Sequence, residues 1–268
     1  MSNLRATAAV LCMGLVAGVL GGCAEKPPAD DPEAVAEFER ANDPIEPFNR
    51  QVYAFNDTVD TYVLVPAAQR YRDYVPEFVR MRIRDFLNNL KSPVIFTNDV
   101  LQADPDKAGM TLFRFLLNTV GGVGGLFDVT PDTAVRHDND LGQTLGVWGV
   151  GEGPYLVLPI FGPSNPRDAF GMGVEAYLDP VDRYATNMGY DWATYVRAVM
   201  SGIDRREGAL DEVAEIKRTS VDPYSTIRSL YRQYREAQIS GTGGKLPKPP
   251  GFSQAFPEMA PELSMQSQ

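Results

Sequence analysis

The sequence predicts a mainly α-helical single domain, and three observations carry that prediction. Apolar residues recur at three- and four-residue spacing over long stretches, strand-like alternation is nearly absent, and Asx-Pro pairs stand where helices should begin. Asp43-Pro44, Asn165-Pro166 and Asp222-Pro223 each read as an N-cap followed by a proline at the first helical position.

The elements follow in chain order. From Phe48, a single face collects Val52, Phe55, Val59, Tyr62 and Val63. Val79, Ile83, Phe86, Leu87 and Leu90 form a second face over residues 79–91. Its apolar arc is about 100° wide, with Arg80, Arg84 and Lys91 along one border. Such cations suit an interfacial helix, their stems on hydrocarbon and their charges at headgroups, or a surface helix packed on its own core. Residues 110–120 are apolar around most of the circumference, while Thr111, Arg114 and Asn118 fall on one narrow stripe. A helix of this kind is buried in protein or lipid, and its stripe faces partners or a wet cavity. The glycines of 121–125 follow no strand and lack a Gly-Lys-Ser/Thr ending, so they read as a sharp turn between apolar segments, not a phosphate loop. Tyr155–Phe161 is the strand candidate, weakened by Pro159. Tyr224, Ile227, Leu230, Tyr231 and Tyr234 give a last helical face, with Arg228, Arg232 and Arg235 on the same helix, either solvated or meeting an acidic partner.

The N-terminus is a different kind of segment. One positive charge at Arg5, an apolar run from Ala6 to Leu20 and Gly21-Gly22-Cys23 make the three-part layout of a secretory signal over residues 1–22. Leu20-Gly21-Gly22-Cys23 resembles a bacterial lipobox, which implies cleavage before Cys23 and acylation of that residue. With Cys12 removed in the signal, Cys23 is the one cysteine left, so no internal disulfide is possible and lipidation accounts for the odd thiol. Several acyl chains anchor durably, at about 0.8 kcal/mol per buried methylene. Ala24 follows the cysteine in place of Asp, which implies sorting to the outer membrane.

Residues 23–31 read as a lipidated tether, 32–239 as the helical domain and 240–268 as a proline- and glycine-bearing disordered tail. A net charge of −10 makes nucleic acid a poor partner. No later segment is long and apolar enough to span a bilayer as a helix. Gly-x-Ser-x-Gly and His-Glu-x-x-His are both absent. The single histidine, His137, sits in His137-Asp138-Asn139-Asp140, where neighbours in sequence rarely converge on one ion, so neither an enzyme nor a metal or other cofactor is expected.

Several motifs then occur together. Asn42-Asp43-Pro44-Ile45-Glu46-Pro47-Phe48-Asn49-Arg50, followed by Phe55-Asn56, resembles the N-terminal signature of the MlaA (VacJ) lipoprotein family. The central signature resembles Asp140–Pro154, DLGQTLGVWGVGEGP, with Gly142, Gln143, Gly146, Gly149, Gly151, Gly153 and Pro154, and its continuation to Asp168. Val221-Asp222-Pro223-Tyr224 with Arg228 is similar to the motif near the family's C-terminus. The resemblance implies a ring-like helical domain in one leaflet of the outer membrane, facing the periplasm. It also implies a central amphipathic passage that moves mislocalised phospholipids to a soluble periplasmic carrier, often beside a trimeric porin. Thr111, Arg114 and Asn118 are the candidate passage-lining residues. The alternative is a structural, porin-associated envelope lipoprotein without transport.

Overall fold

The computed structural model describes residues 41–241 apart from Asp132, together with Val35. The signal segment, Cys23, the tether and all but the first two residues of the expected tail lie outside the described residues.

The domain is mainly helical, as expected. Helix α1 (Glu46–Val59) runs through a π-helical turn (Asp60–Leu64) into α2 (Val65–Tyr74), and α3 spans Glu77–Leu101. Helix α4 (Pro105–Val120) doubles back on α3, and a short α5 (Leu141–Val147) follows the glycine turn. A two-stranded hairpin, β1 (Leu156–Leu158) and β2 (Gly162–Ser164), precedes α6 (Pro166–Leu178), α7 (Pro180–Asn187), α8 (Asp191–Gly208), α9 (Leu210–Thr219) and α10 (Pro223–Ile239). Among the described residues no helix is long and apolar enough to cross a membrane.

Several expectations change in detail. Asn165 and Asp222 do cap α6 and α10, accepting from the backbone N–H of Asp168 and Tyr224. Asp43 does not cap α1: that helix begins after Ile45, and the Asp43 carboxylate, buried, accepts from Asn49, Arg228 and the Tyr224 hydroxyl. A cation and two side-chain donors satisfy it better than one helix-end amide would. The helix expected over 79–91 continues to Leu101 straight through Pro93. The strand expected over Tyr155–Phe161 ends at Leu158, because Pro159 and the left-handed Ile160 turn the chain into β2. The antiparallel register pairs Leu156 with Ser164 and Leu158 with Gly162.

Two asparagines of the first signature explain how so short a hairpin is held. Asn49 donates to the Tyr155 carbonyl at 3.0 Å and accepts from the Val157 N–H at 2.9 Å. Asn56 does the same one turn-pair further along, donating to Leu158 O at 2.9 Å and accepting from Ile160 N–H at 2.7 Å. Each amide stands in for a missing neighbour strand on β1. The apolar core lies here, with Val52, Tyr155, Val157, Tyr224 and Tyr231 packed together and Tyr155 edge-on to Tyr224 at 6.1 Å.

Elsewhere many polar residues are buried and many large apolar ones exposed. On α1 the buried residues are Asn49, Val52 and Asn56, and Asp60 follows in the π turn, whereas Phe55, Tyr62 and Val63 are more than half exposed. Asp60 has no exposed surface and holds Arg206 of α8 at 2.5 and 3.0 Å. The border cations of α3 do not reach outward: Arg80 pairs with Glu207, Arg84 with Asp204 and Glu207, and Lys91 with Asp138. They tie α3 to α8 and to the loop before α5, which corrects the headgroup-reaching alternative.

Candidate functional site

Helices α3, α6, α8 and α10 converge on a cavity of about 240 Å³. Its wall mixes apolar Leu87, Val94 and Met172 with charged Lys91, Asp140, Asp168, Glu175, Arg197, Arg205 and Arg235. Close helix contact makes this convergence possible. A Cβ on Gly142 would lie 2.6 Å from Asp168 Oδ1, and one on Gly171 would lie 2.5 Å from Gly142 N, so α5 and α6 touch backbone to backbone. Gly146 is equally tight, against Ile239.

That contact brings Asp140 and Asp168 to one arginine. Arg235 donates to both oxygens of Asp140 at 2.7 and 3.0 Å, and its Nε lies 2.8 Å from Asp168. Burial pushes the Asp140 carboxyl up, but the Arg235 ion pair and the Gln143 N–H outweigh it, leaving the carboxyl below its ordinary range. Glu175 goes the other way. Burial, reinforced by the Asp140 charge, pushes it up to about 7, although it accepts from Asn98 and from the Leu141 N–H at 2.7 Å each.

The three stripe residues of α4 face a second, smaller cavity of about 30 Å³ on the opposite side of α3. Thr111 donates to Asp99 at 2.6 Å, and Asn118 donates to Asp128 at 3.0 Å while accepting from the Val129 N–H. Arg114 both lines this cavity and pairs with Asp128 and the Ala134 carbonyl. His137 shares Asp99 with Thr111 and Asn139, at 2.9 Å from the carboxylate. Among the described residues no cluster of three or more His, Cys, Asp or Glu is placed to hold a metal ion.

The remaining signature residues are mostly structural joints. Asn42, at positive φ, donates to Gly153 O at 2.7 Å and accepts from the Tyr155 N–H. Arg50 bridges Glu46 and Asp222 and lies 4.3 Å over the Tyr224 ring. Gln143 donates to Gln238 O at 3.2 Å. Gly153 has a left-handed φ of 73°, Gly149 and Gly151 have open space around them, and Pro154 is exposed. The three arginines of α10 meet carboxylates of this same chain: Arg228 those of Asp43 and Glu46, Arg232 that of Glu152, and Arg235 those of Asp140 and Asp168. Glu175, Arg197 and Arg205 were missed in the sequence. Glu175 left a signal, being the one charge in the otherwise apolar run 169–178.

The fold and site define a mainly helical protein that exposes apolar helix faces around charged cavities. Residues 41–238 match the family described as MlaA lipoprotein, and this chain belongs to that family. The intermembrane phospholipid transport system lipoprotein MlaA of Haemophilus influenzae is 37% identical over 245 residues, covering 90% of this chain and 93% of that one. The protein of the same name from Escherichia coli K12 is 35% identical over 214 residues, covering 76% and 80%. A solved structure concerning the structural basis for maintenance of bacterial outer membrane lipid asymmetry matches with a TM-score of 0.65 at 37% identity. The match covers 74% of this chain and 98% of that one.

Proposed function

We propose that this chain is the outer-membrane lipoprotein of an intermembrane phospholipid transport system that maintains lipid asymmetry. Anchored through Cys23 and facing the periplasm, it takes phospholipids out of the outer leaflet and passes them through its amphipathic interior toward a soluble carrier, beside a trimeric porin.

The observation that carries the reading is the inverted polarity of the domain. Phe113, Leu116, Val120, Tyr184, Trp192 and Tyr195 are about half exposed or more, while Asp60, Asp99, Arg206 and Arg235 are buried. Water penalises such an exterior and a bilayer leaflet rewards it. The 240 Å³ chamber is our candidate passage. It is smaller than the roughly 300–1,000 Å³ pockets that enclose drug-sized ligands, so it fits a headgroup while the acyl chains stay in apolar surroundings. Thr111, Arg114 and Asn118 then line a wet side cavity that braces α4 against α3. The reading has no catalytic step; phospholipid hydrolysis by purified protein, lost on His137→Ala, would contradict it.

The test is outer-leaflet phospholipid content in cells lacking the protein, complemented with wild type, Cys23→Ala or Met172→Trp, the last filling the chamber. A rise on deletion that wild type alone reverses supports an anchored passage. Full complementation by a folded Met172→Trp protein favours the scaffold reading instead.

A further inference from the structure

Beyond the chamber, the surface of α10 carries a groove of about 900 Å³ that is rich in arginine. Arg167, Arg228, Arg232 and Arg235 line it with Glu152 and Glu236, in a chain whose net charge is −10. Arg235 also lines the central chamber, so this residue belongs to the walls of both cavities.

The arginines differ in how far their own chain satisfies them. Arg228, Arg232 and Arg235 each have a carboxylate within 2.8 Å. Arg167 is 7% exposed; its Nε reaches Asp168 at 3.0 Å and its Nη1 the Val150 carbonyl at 3.3 Å. Its Nη2 is buried and has no hydrogen-bond partner among the described residues. An unpaired cationic N–H on a residue that lines a cavity is a donor that a small shift of the side chain can bring to an acceptor there. With Nε and Nη1 engaged, Nη2 is the one nitrogen of Arg167 left to give a charge-assisted hydrogen bond to a phosphate oxygen.

We propose that this groove binds a phosphodiester anion, the headgroup of a phospholipid leaving the central chamber past Arg235, with Arg167 Nη2 as the direct donor. The proposal rests on the passage reading above for the lipid as source of the phosphate. Arg232, at the exposed rim, adds charge, and Ser229 of α10 forms part of the wall.

The test titrates full-length lipidated protein in phosphate-free non-ionic detergent with dihexanoylphosphatidylglycerol below its micelle threshold, with inorganic phosphate, and with dihexanoylglycerol. The short-chain phospholipid should saturate a single site, the phosphate-free diglyceride should not compete, and inorganic phosphate should bind at least tenfold more weakly. Arg167→Gln should raise the Kd at least tenfold and Arg232→Gln a few-fold. Should Arg167→Gln fail to fold, Ser229→Trp blocks the groove from an exposed position and should abolish binding. Undiminished binding in folded Arg167→Gln or Ser229→Trp protein overturns the site, and equal affinity for inorganic phosphate overturns the headgroup as its ligand. Either failure leaves the cellular complementation result untouched, whereas an unchanged outer leaflet on deletion defeats the transport reading by itself.

Discussion

Helices α4 and α10 are both amphipathic, yet they face opposite ways. On α10 the aromatic and aliphatic stripe of Tyr224, Ile227, Tyr231 and Tyr234 is buried, and Ser229, Gln233 and Glu236 are exposed. On α4 it is Thr111 and Asn118 that are buried, while Leu112, Phe113, Leu116 and Val120 stand outside. The first half of α8 resembles α4, exposing Trp192, Tyr195, Val196 and Val199; its second half resembles neither, burying Asp204, Arg206 and Glu207. The molecule therefore has two exteriors, one suited to water around α10 and one suited to hydrocarbon around α4, α7 and the start of α8. Periodicity identifies residues that share a face; it does not say which solvent that face meets.

If the lipid-facing half is held by charge rather than by apolar burial, its most damaging mutation is a polar one. Asp60→Ala leaves Arg206 buried without its carboxylate, and such an uncompensated charge costs about 3–5 kcal/mol. Denaturant unfolding in detergent should show that loss, deepened because Lys217 shares the same carboxylate, and near-wild-type stability would mean that water reaches Arg206. The α10 side should behave as an ordinary core. Ile227→Ala, at a site 2% exposed, should cost about 2–5 kcal/mol in the same assay. A loss below that range would place α10 outside the stabilising core and collapse the contrast between the halves.

How much of this was legible beforehand follows the same division. The helices, the caps at Asn165 and Asp222, and the Tyr224–Tyr234 face could be read because local backbone chemistry decides them. Asp43 could not, since its partners Tyr224 and Arg228 come from the far end of the chain. Thr111, Arg114 and Asn118 were readable as an inward polar stripe, but not as bracing for Asp99 and Asp128. The chamber residues Glu175, Arg197 and Arg205 lie on α6 and α8 and meet only through tertiary packing, which Gly142 and Gly171 permit. Neither the spacing of those glycines nor the charges themselves reveal that meeting.

Glu175 sharpens the picture of a charged chamber through pH. Its folded-state pKa of about 7 lies above the ordinary 4.5. Between those values the folded protein holds more protons than the unfolded chain, so stability falls as pH rises through the window. The slope from this one group is at most about 1.4 kcal/mol per pH unit. Glu175→Gln should flatten the decline above pH 4.5 while leaving the acid limb, set by depressed groups such as Asp140 and Asp128, in place. An unchanged slope would mean that water reaches Glu175 and that the chamber is wetter than its walls imply.

The smallest thermodynamic effect separates the two exteriors most cleanly. Leu116 is 52% exposed on α4 and has little protein around it to lose. Leu116→Lys should therefore change stability in detergent by less than about 0.5 kcal/mol, the usual range for a surface position. In a bilayer the same lysine must leave hydrocarbon or drag water into it, a far larger penalty. The anchor would mask that penalty, so the measurement belongs in Cys23→Ala protein exported behind an ordinary cleavable signal, reading the fraction that stays with the membrane. Loss of retention with Leu116→Lys, and none with a lysine at exposed Gln233 of α10, assigns α4 to lipid and α10 to water. Equal retention for both would mean that the outward apolar face of α4 is covered by protein instead of by a leaflet.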